Sequence, residues 1–191
     1  MYAVAEAAGA RLYYPAERAD YPDWHRRFAR DAPPPPAPEV IELSDVYLRN
    51  GRDWACLYDR DGRRLDATAL PRYREDLTPE LWRAAPTLPL PRNPPTIAQA
   101  VVYGGVFFNH WGHFLLESTA RLWAKRDRAP PTVYTWFSSP RLPAIDAFLA
   151  DDPPLVLDAP CVRLAHCFVA SPSFAHEGYA SPRHLVAPHR V

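Results

Sequence analysis

The residues best equipped for chemistry stand together in NHWGHFLLESTARLWAK, residues 109–125: two imidazoles (His110, His113), a carboxylate (Glu117) and a guanidinium (Arg121). At about 100° of rotation per residue, a helix over this segment gathers all four within an arc of about 80°. A second face, Trp111, Phe114, Leu115, Ser118 and Leu122, is the one expected to pack on a sheet. Asn109 stands where an N-cap residue is expected. His113 and Glu117 are i,i+4 neighbours, so the carboxylate can orient the imidazole and raise its basicity, while Arg121, a turn further on, would keep Glu117 ionised. Histidine beside asparagine and glutamate is a set suited to proton transfer and hydroxyl recognition, whereas solvated helix faces favour lysine and glutamate. A solvated helix surface is the plain alternative, and spacing by itself does not choose between the two. The same residues also spell HxxHxxxE, a one-face zinc set in principle. It is neither HExxH nor HxxEH, and no cysteine pattern accompanies it.

The elements that must position these groups are legible as alternation. The apolar runs AVVYGGVFF (100–108), TVYTWF (132–137), PLVLD (154–158) and VRLAHCFVA (162–170) are separated by helical segments, which predicts βαβ units and a Rossmann-like, mainly parallel α/β sheet. The candidate helix starts just after the strand ending VFF, and in open α/β sheets ligands bind at the carboxyl ends of strands. Gly104 and Gly105 let the backbone pass close to a neighbour or ligand. Upstream, VIELSDVYL (40–48) and WACLYD (54–59) read as strands of a small antiparallel β unit, with turn chemistry in DRDG at 59–62. Prolines at 71, 79, 86, 89, 91, 94 and 95 leave at most a short helix around 79–83. Residues 1–32 hold a short helix in which Trp24 and Phe28 share a face, and PPPPAP at 33–38 is a stiff connector. Three parts follow: an extension and proline-rich connector (1–38), a Rossmann-like domain with an N-terminal β hairpin (39–175), and a tail or linker (176–191).

Composition narrows the partners. With 22 acidic and 22 basic side chains, no bulk field favours nucleic acid or an anionic membrane. Three cysteines without CxxC spacing read as buried thiols in a reducing compartment. Strand alternation sets Cys161 and Cys167 opposite His166, against a Cys–His dyad. The start, MYAVAEAAGARLYY, has no basic leader, and no apolar run approaches the ~20 residues of a membrane span, so the cytoplasm is the expected compartment, with no integral membrane segment. GxxxxGK[ST], GxGxxG and GxSxG do not occur, so no cofactor is expected.

The stretch YGGVFFNHWGHFLLESTARLWA (103–124) resembles the G-H-F-(L/V)-(L/I)-E-x-x-x-R-L-W segment of bacterial glycosyltransferase family 61, the capsular polysaccharide biosynthesis type. The matching residues are Asn109, Gly112, His113, Phe114, Leu115, Leu116, Glu117, Arg121, Leu122 and Trp123. More weakly, ELSDVYL and CLYDRDGRRLDAT are similar to the β unit that precedes this motif in the family. The resemblance implies inverting transfer of a sugar from a nucleotide sugar to a saccharide acceptor in surface-polysaccharide assembly. It also implies a B-type architecture of two Rossmann-like domains, of which this chain resembles only the acceptor-side N-terminal half. The later arginine- and asparagine-containing motifs and the glycine-rich stretch that hold the donor are not found, so the chain is expected to be inactive alone. In this reading His113, or else Glu117, is the catalytic base; Asn109 and His110 position acceptor or donor oxygens; and Arg121 holds the Glu117 carboxylate. An exposed former interdomain surface would favour self-association. The alternative is a truncated, non-catalytic domain that binds saccharide or a partner chain.

Overall fold

Apolar β-branched and aromatic runs become strands where neighbours can share their side chains across a pleated surface. The computed structural model describes residues 2–7, 10–15, 37–51, 53–73, 79–125, 130–136, 140–175 and 179–180. Its first strands, β1 (Tyr2–Ala7) and β2 (Ala10–Pro15), form an antiparallel hairpin. Trp24 and Phe28, and most of the proline run at 33–38, lie outside the described residues. The main chain of the fold then runs through β3 (Val40–Arg49), β4 (Leu57–Tyr58), β5 (Pro71–Tyr73), β6 (Pro79–Leu81), β7 (Thr96–Val106), β8 (Thr132–Thr135) and β9 (Cys161–Ala170). Two short strands, β10 (Phe174–Ala175) and β11 (Tyr179–Ala180), follow. Five of these strands hydrogen-bond in the order β4-β3-β9-β7-β8 as one curled mixed sheet.

That sheet corrects the expected fold class. β7 runs parallel to β8 and β9, but β3 is antiparallel to both β4 and β9, so the sheet is not a mainly parallel, Rossmann-like one. Nor is it the helix-rich half of a B-type glycosyltransferase. The physical reason is the edge of β9: its backbone groups need partners, and β3 supplies them from Val40↔Ala170 to Arg49↔Cys161. What reads in sequence as a detached antiparallel unit is therefore part of the central sheet. Val46 and Leu48 of β3 enter the same core as Val101, Tyr103, Leu164 and Cys167. The connections are also poor in helix. An irregular helical segment joins β7 to β8, and a six-residue helix, Pro143–Phe148, lies between β8 and β9. Residues 154–158 are not a strand; Leu155 N–H donates to Thr132 O at 2.8 Å, and Leu155 and Leu157 pack against the core from outside the ladder. Around residue 79, β6 pairs with β5 where a short helix was expected, because proline at both strand ends lacks only donors that an edge can spare.

The hairpin turn at 59–62 forms as expected: Asp59 Oδ1 accepts from Asp61 N–H (2.9 Å) and Arg63 N–H (2.8 Å). Gly104 is where β7 meets a neighbour. A Cβ there would lie 2.3 Å from Tyr134 Cε1, so only glycine admits the ring, and Gly105 at φ 97° carries the register irregularity beside it. Tyr134 in turn packs with Phe107, Phe114, Ile145 and Leu149, a second core beneath the Pro143–Phe148 helix. All three cysteines are free and buried. Burial pushes the Cys56 thiol up to about 11 and the Cys167 thiol up to about 12. His166 is exposed, whereas the two cysteines of β9 are buried in different cores, Cys161 beside Cys56 and Tyr58 and Cys167 beside Leu164 and Val169, so the strand does not keep the regular alternation that set both cysteines on one face.

Candidate active site

The segment after β7 is not the single regular helix that the periodicity predicts. One α turn (Trp111–His113) runs into a π-helical stretch (Phe114–Ser118), then a turn, then a 3-10 turn (Leu122–Ala124). Thr119 N–H reaches Phe114 O (3.2 Å), the i→i+5 bond of a π turn, and the Thr119 hydroxyl bonds back to Leu115 O (2.7 Å). These departures from 3.6 residues per turn rotate the polar groups. Phe114 and Ser118 are buried as expected, but Trp111 is exposed, Leu115 and Leu122 are only half-buried, and Glu117, Thr119 and Arg121 are turned inward. Three bonds anchor the segment: Ser118 Oγ accepts Phe108 N–H (2.9 Å), and Ala120 O accepts both the Ser173 N–H and hydroxyl (2.8 Å each).

The inward carboxylate is the centre of the site. Glu117 has a side chain with no solvent exposure, and Arg72, from β5, grips it in a fork: Nε to Oε2 at 3.0 Å, Nη2 to Oε1 at 3.0 Å and Nη2 to Oε2 at 2.7 Å. Desolvating a carboxylate costs several kcal/mol, and a bidentate guanidinium is the partner best shaped to offset that. His113 Nδ1 meets Oε1 of the same carboxylate in a short contact across one turn. The His113 side chain stays 41% exposed, so the buried carboxylate joins a half-buried guanidinium to an imidazole at the surface.

The remaining residues divide between surface and scaffold. His110 is exposed, its ring centroid 5.2 Å from that of His113. It holds the N-cap position expected for Asn109, without a side-chain cap bond. Asn109 pins another loop: its amide donates to Pro140 O (2.8 Å), and its carbonyl accepts Leu142 N–H (2.9 Å) at the start of the Pro143–Phe148 helix. Arg121 is buried and donates to three backbone carbonyls, those of Ala67 (3.2 Å), Ala69 (2.7 Å) and Ala170, tying the end of β9 to the stretch before β5. The guanidinium that grips Glu117 is that of Arg72, 45 positions upstream and in the proline-rich stretch that reads as connection. No local spacing links the two residues, so a single sequence carries no signal for the pair.

Aromatic residues wall the site at the carboxyl ends of β7 and β8. Phe108 lies 5.5 Å from the His113 ring, 5.2 Å from Trp82 and 5.8 Å from Trp136. The Arg72 guanidinium carbon sits 4.4 Å from the Trp82 centroid, a cation–π contact that helps hold the arginine in place. Among the described residues no group of three or more His, Cys, Asp or Glu side chains could hold a metal ion, since Glu117, the acidic member of HxxHxxxE, faces Arg72 and His113. No helix among the described residues is long and apolar enough to cross a membrane. Compared with protein families, with curated proteins and with solved structures, the chain has no match.

Proposed function

We propose that this chain carries the acceptor-activating site of a glycosyltransferase, which deprotonates a saccharide hydroxyl as a sugar arrives from a nucleotide sugar in surface-polysaccharide assembly. The observation that carries the reading is the Arg72–Glu117–His113 relay: a buried carboxylate, fixed by a fork of N–H donors, against a partly exposed imidazole. An ionised carboxylate only accepts, so His113 Nδ1–H donates to it and Nε2 becomes the basic nitrogen. Glu117 orients the ring and stabilises the imidazolium formed when the hydroxyl proton arrives; Arg72 holds the carboxylate in place for that role. His110 lies beside the ring, where it can hold a saccharide oxygen, while Asn109 and Arg121 hold the loops around the site. The resemblance of residues 103–124 to glycosyltransferase family 61 supports the reaction class. The reading makes no use of the B-type architecture, which the mixed sheet overturns.

The test is transfer itself. The chain, with and without a separately supplied nucleotide-sugar-binding partner domain, is given UDP- and dTDP-sugars with a panel of saccharide acceptors. Nucleoside diphosphate release that depends on acceptor, and that falls about 10²- to 10⁴-fold in His113→Ala, is expected. Release that is indifferent to His113 overturns the assignment.

A further inference from the structure

We infer that Trp82, Trp136 and Arg83 form a subsite beside His113 that takes an acidic sugar ring, a uronate of the acceptor saccharide. The inference rests on the acceptor reading above and names the chemistry of that acceptor. Trp82 and Trp136 lie 5.6 Å apart at an interplanar angle of 31°, both part-exposed, and Phe108 beneath them connects the pair to the His113 ring. Arg83 is exposed and sits over both indoles, its guanidinium carbon 4.9 Å from the Trp82 centroid and 5.8 Å from that of Trp136. Among the described residues no carboxylate pairs with Arg83.

The backbone supplies a second, independent observation. Arg83 has φ 47° and Trp136 φ 58°, a left-handed conformation that bulky side chains disfavour, and two of the three such residues other than glycine among the described residues meet in this one cluster. Strain of this kind persists where surrounding structure over-determines it, and it gathers at binding sites. A turn needing only the conformation would be served by glycine; these positions carry an indole and a guanidinium. Arg83 covers the indole faces, so a sugar ring would rest against the part-exposed indole edges while the stacked guanidinium presents its planar fork of donors to a carboxylate. A neutral sugar would leave that fork unmatched. A ring bound here is one aromatic residue, Phe108, away from the base, so the hydroxyl presented to His113 belongs to this acidic ring or to its immediate neighbour.

The experiment compares trigalacturonate with its methyl ester, which keeps the shape and removes the charge, binding to the full chain by calorimetry. The acid is expected to bind at least about tenfold more tightly than the ester, with an advantage that shrinks as salt rises. Arg83→Gln should bring the acid down to the ester's affinity, and Trp136→Ala should weaken both. Arg83→Gly relieves the left-handed backbone, so it should unfold no earlier than wild type while losing the preference for the acid. Equal binding of acid and ester, binding of neither, or a preference that survives Arg83→Gln overturns the subsite. The two readings fail separately: loss of turnover in His113→Ala without a uronate preference leaves the transferase standing and removes the subsite. An Arg83-dependent uronate preference in a chain whose turnover ignores His113 does the reverse.

Discussion

Replacing Arg72 by methionine keeps an unbranched chain over Trp82 but strips the fork from a carboxylate that has no access to water. Three N–H···O contacts between 2.7 and 3.0 Å disappear together. Removing one partner of a buried ion pair typically costs ~3–5 kcal/mol, because the remaining charge is left desolvated. Arg72 is 18% exposed, so its own desolvation is incomplete, and His113 still donates to Oε1; the lower end, about 3 kcal/mol, is the expected loss. Urea unfolding followed by tryptophan fluorescence measures it, with Glu117→Gln as the second arm of a double-mutant cycle. Glutamine keeps the volume and removes the charge, so in that background Arg72→Met should cost under about 1 kcal/mol, a coupling of about 2 kcal/mol. A loss of less than about 1 kcal/mol in the wild-type background, or equal losses in both, would refute the claim that the Arg72 fork offsets the burial of the Glu117 carboxylate.

Gly104→Ala drives a methyl into the fully packed Tyr134 ring, 2.3 Å from Cε1 and 2.5 Å from Cζ, and should destabilise by at least ~1–3 kcal/mol in the same urea assay; Gly104→Ala in a Tyr134→Leu background should recover most of that. The thiols set the alkaline limit. Their folded values are raised above the unfolded 9.0, to about 11 for Cys56 and about 12 for Cys167, so stability is unaffected below 9.0 and falls as pH climbs from there toward 11, at about 1.4 kcal/mol per pH unit for each thiol. Urea midpoints across that range check the slope. Native-state labelling with a thiol reagent at about pH 8 should modify none of the three within the time that unfolded chain reacts completely.

Strand positions were the most legible part of this fold, since the runs at 40–48, 100–108, 132–137 and 162–170 all contain strands near the expected limits. Their partnering was not legible. Whether β3 forms a separate hairpin or adds to β9 depends on which edge is left unpaired in three dimensions, and alternation within VIELSDVYL is the same in either case. The helical wheel gave the wrong orientation: it assumes 3.6 residues per turn, and the π stretch at Phe114–Ser118 turns Glu117 and Arg121 into the core. The pairing of His113 with Glu117 was readable because i,i+4 neighbours meet in almost any helical geometry. Arg72, Trp82 and Trp136 were not, because they approach the site from β5, from the segment after β6 and from the end of β8, at sequence distances where spacing carries no information.

The measurement that bears most directly on the account is chemical rescue of the proposed base. His113→Ala leaves a hollow where a half-exposed imidazole stood, beside a carboxylate still held by Arg72, so free imidazole in solution can enter and take the same proton. Acceptor-dependent turnover in this variant should fall about 10²- to 10⁴-fold and rise with added imidazole until the hollow is saturated, with no such rise in wild type or in Glu117→Gln. Turnover within about twofold of wild type in His113→Ala, or a loss that imidazole leaves untouched while the variant remains folded, would contradict the account.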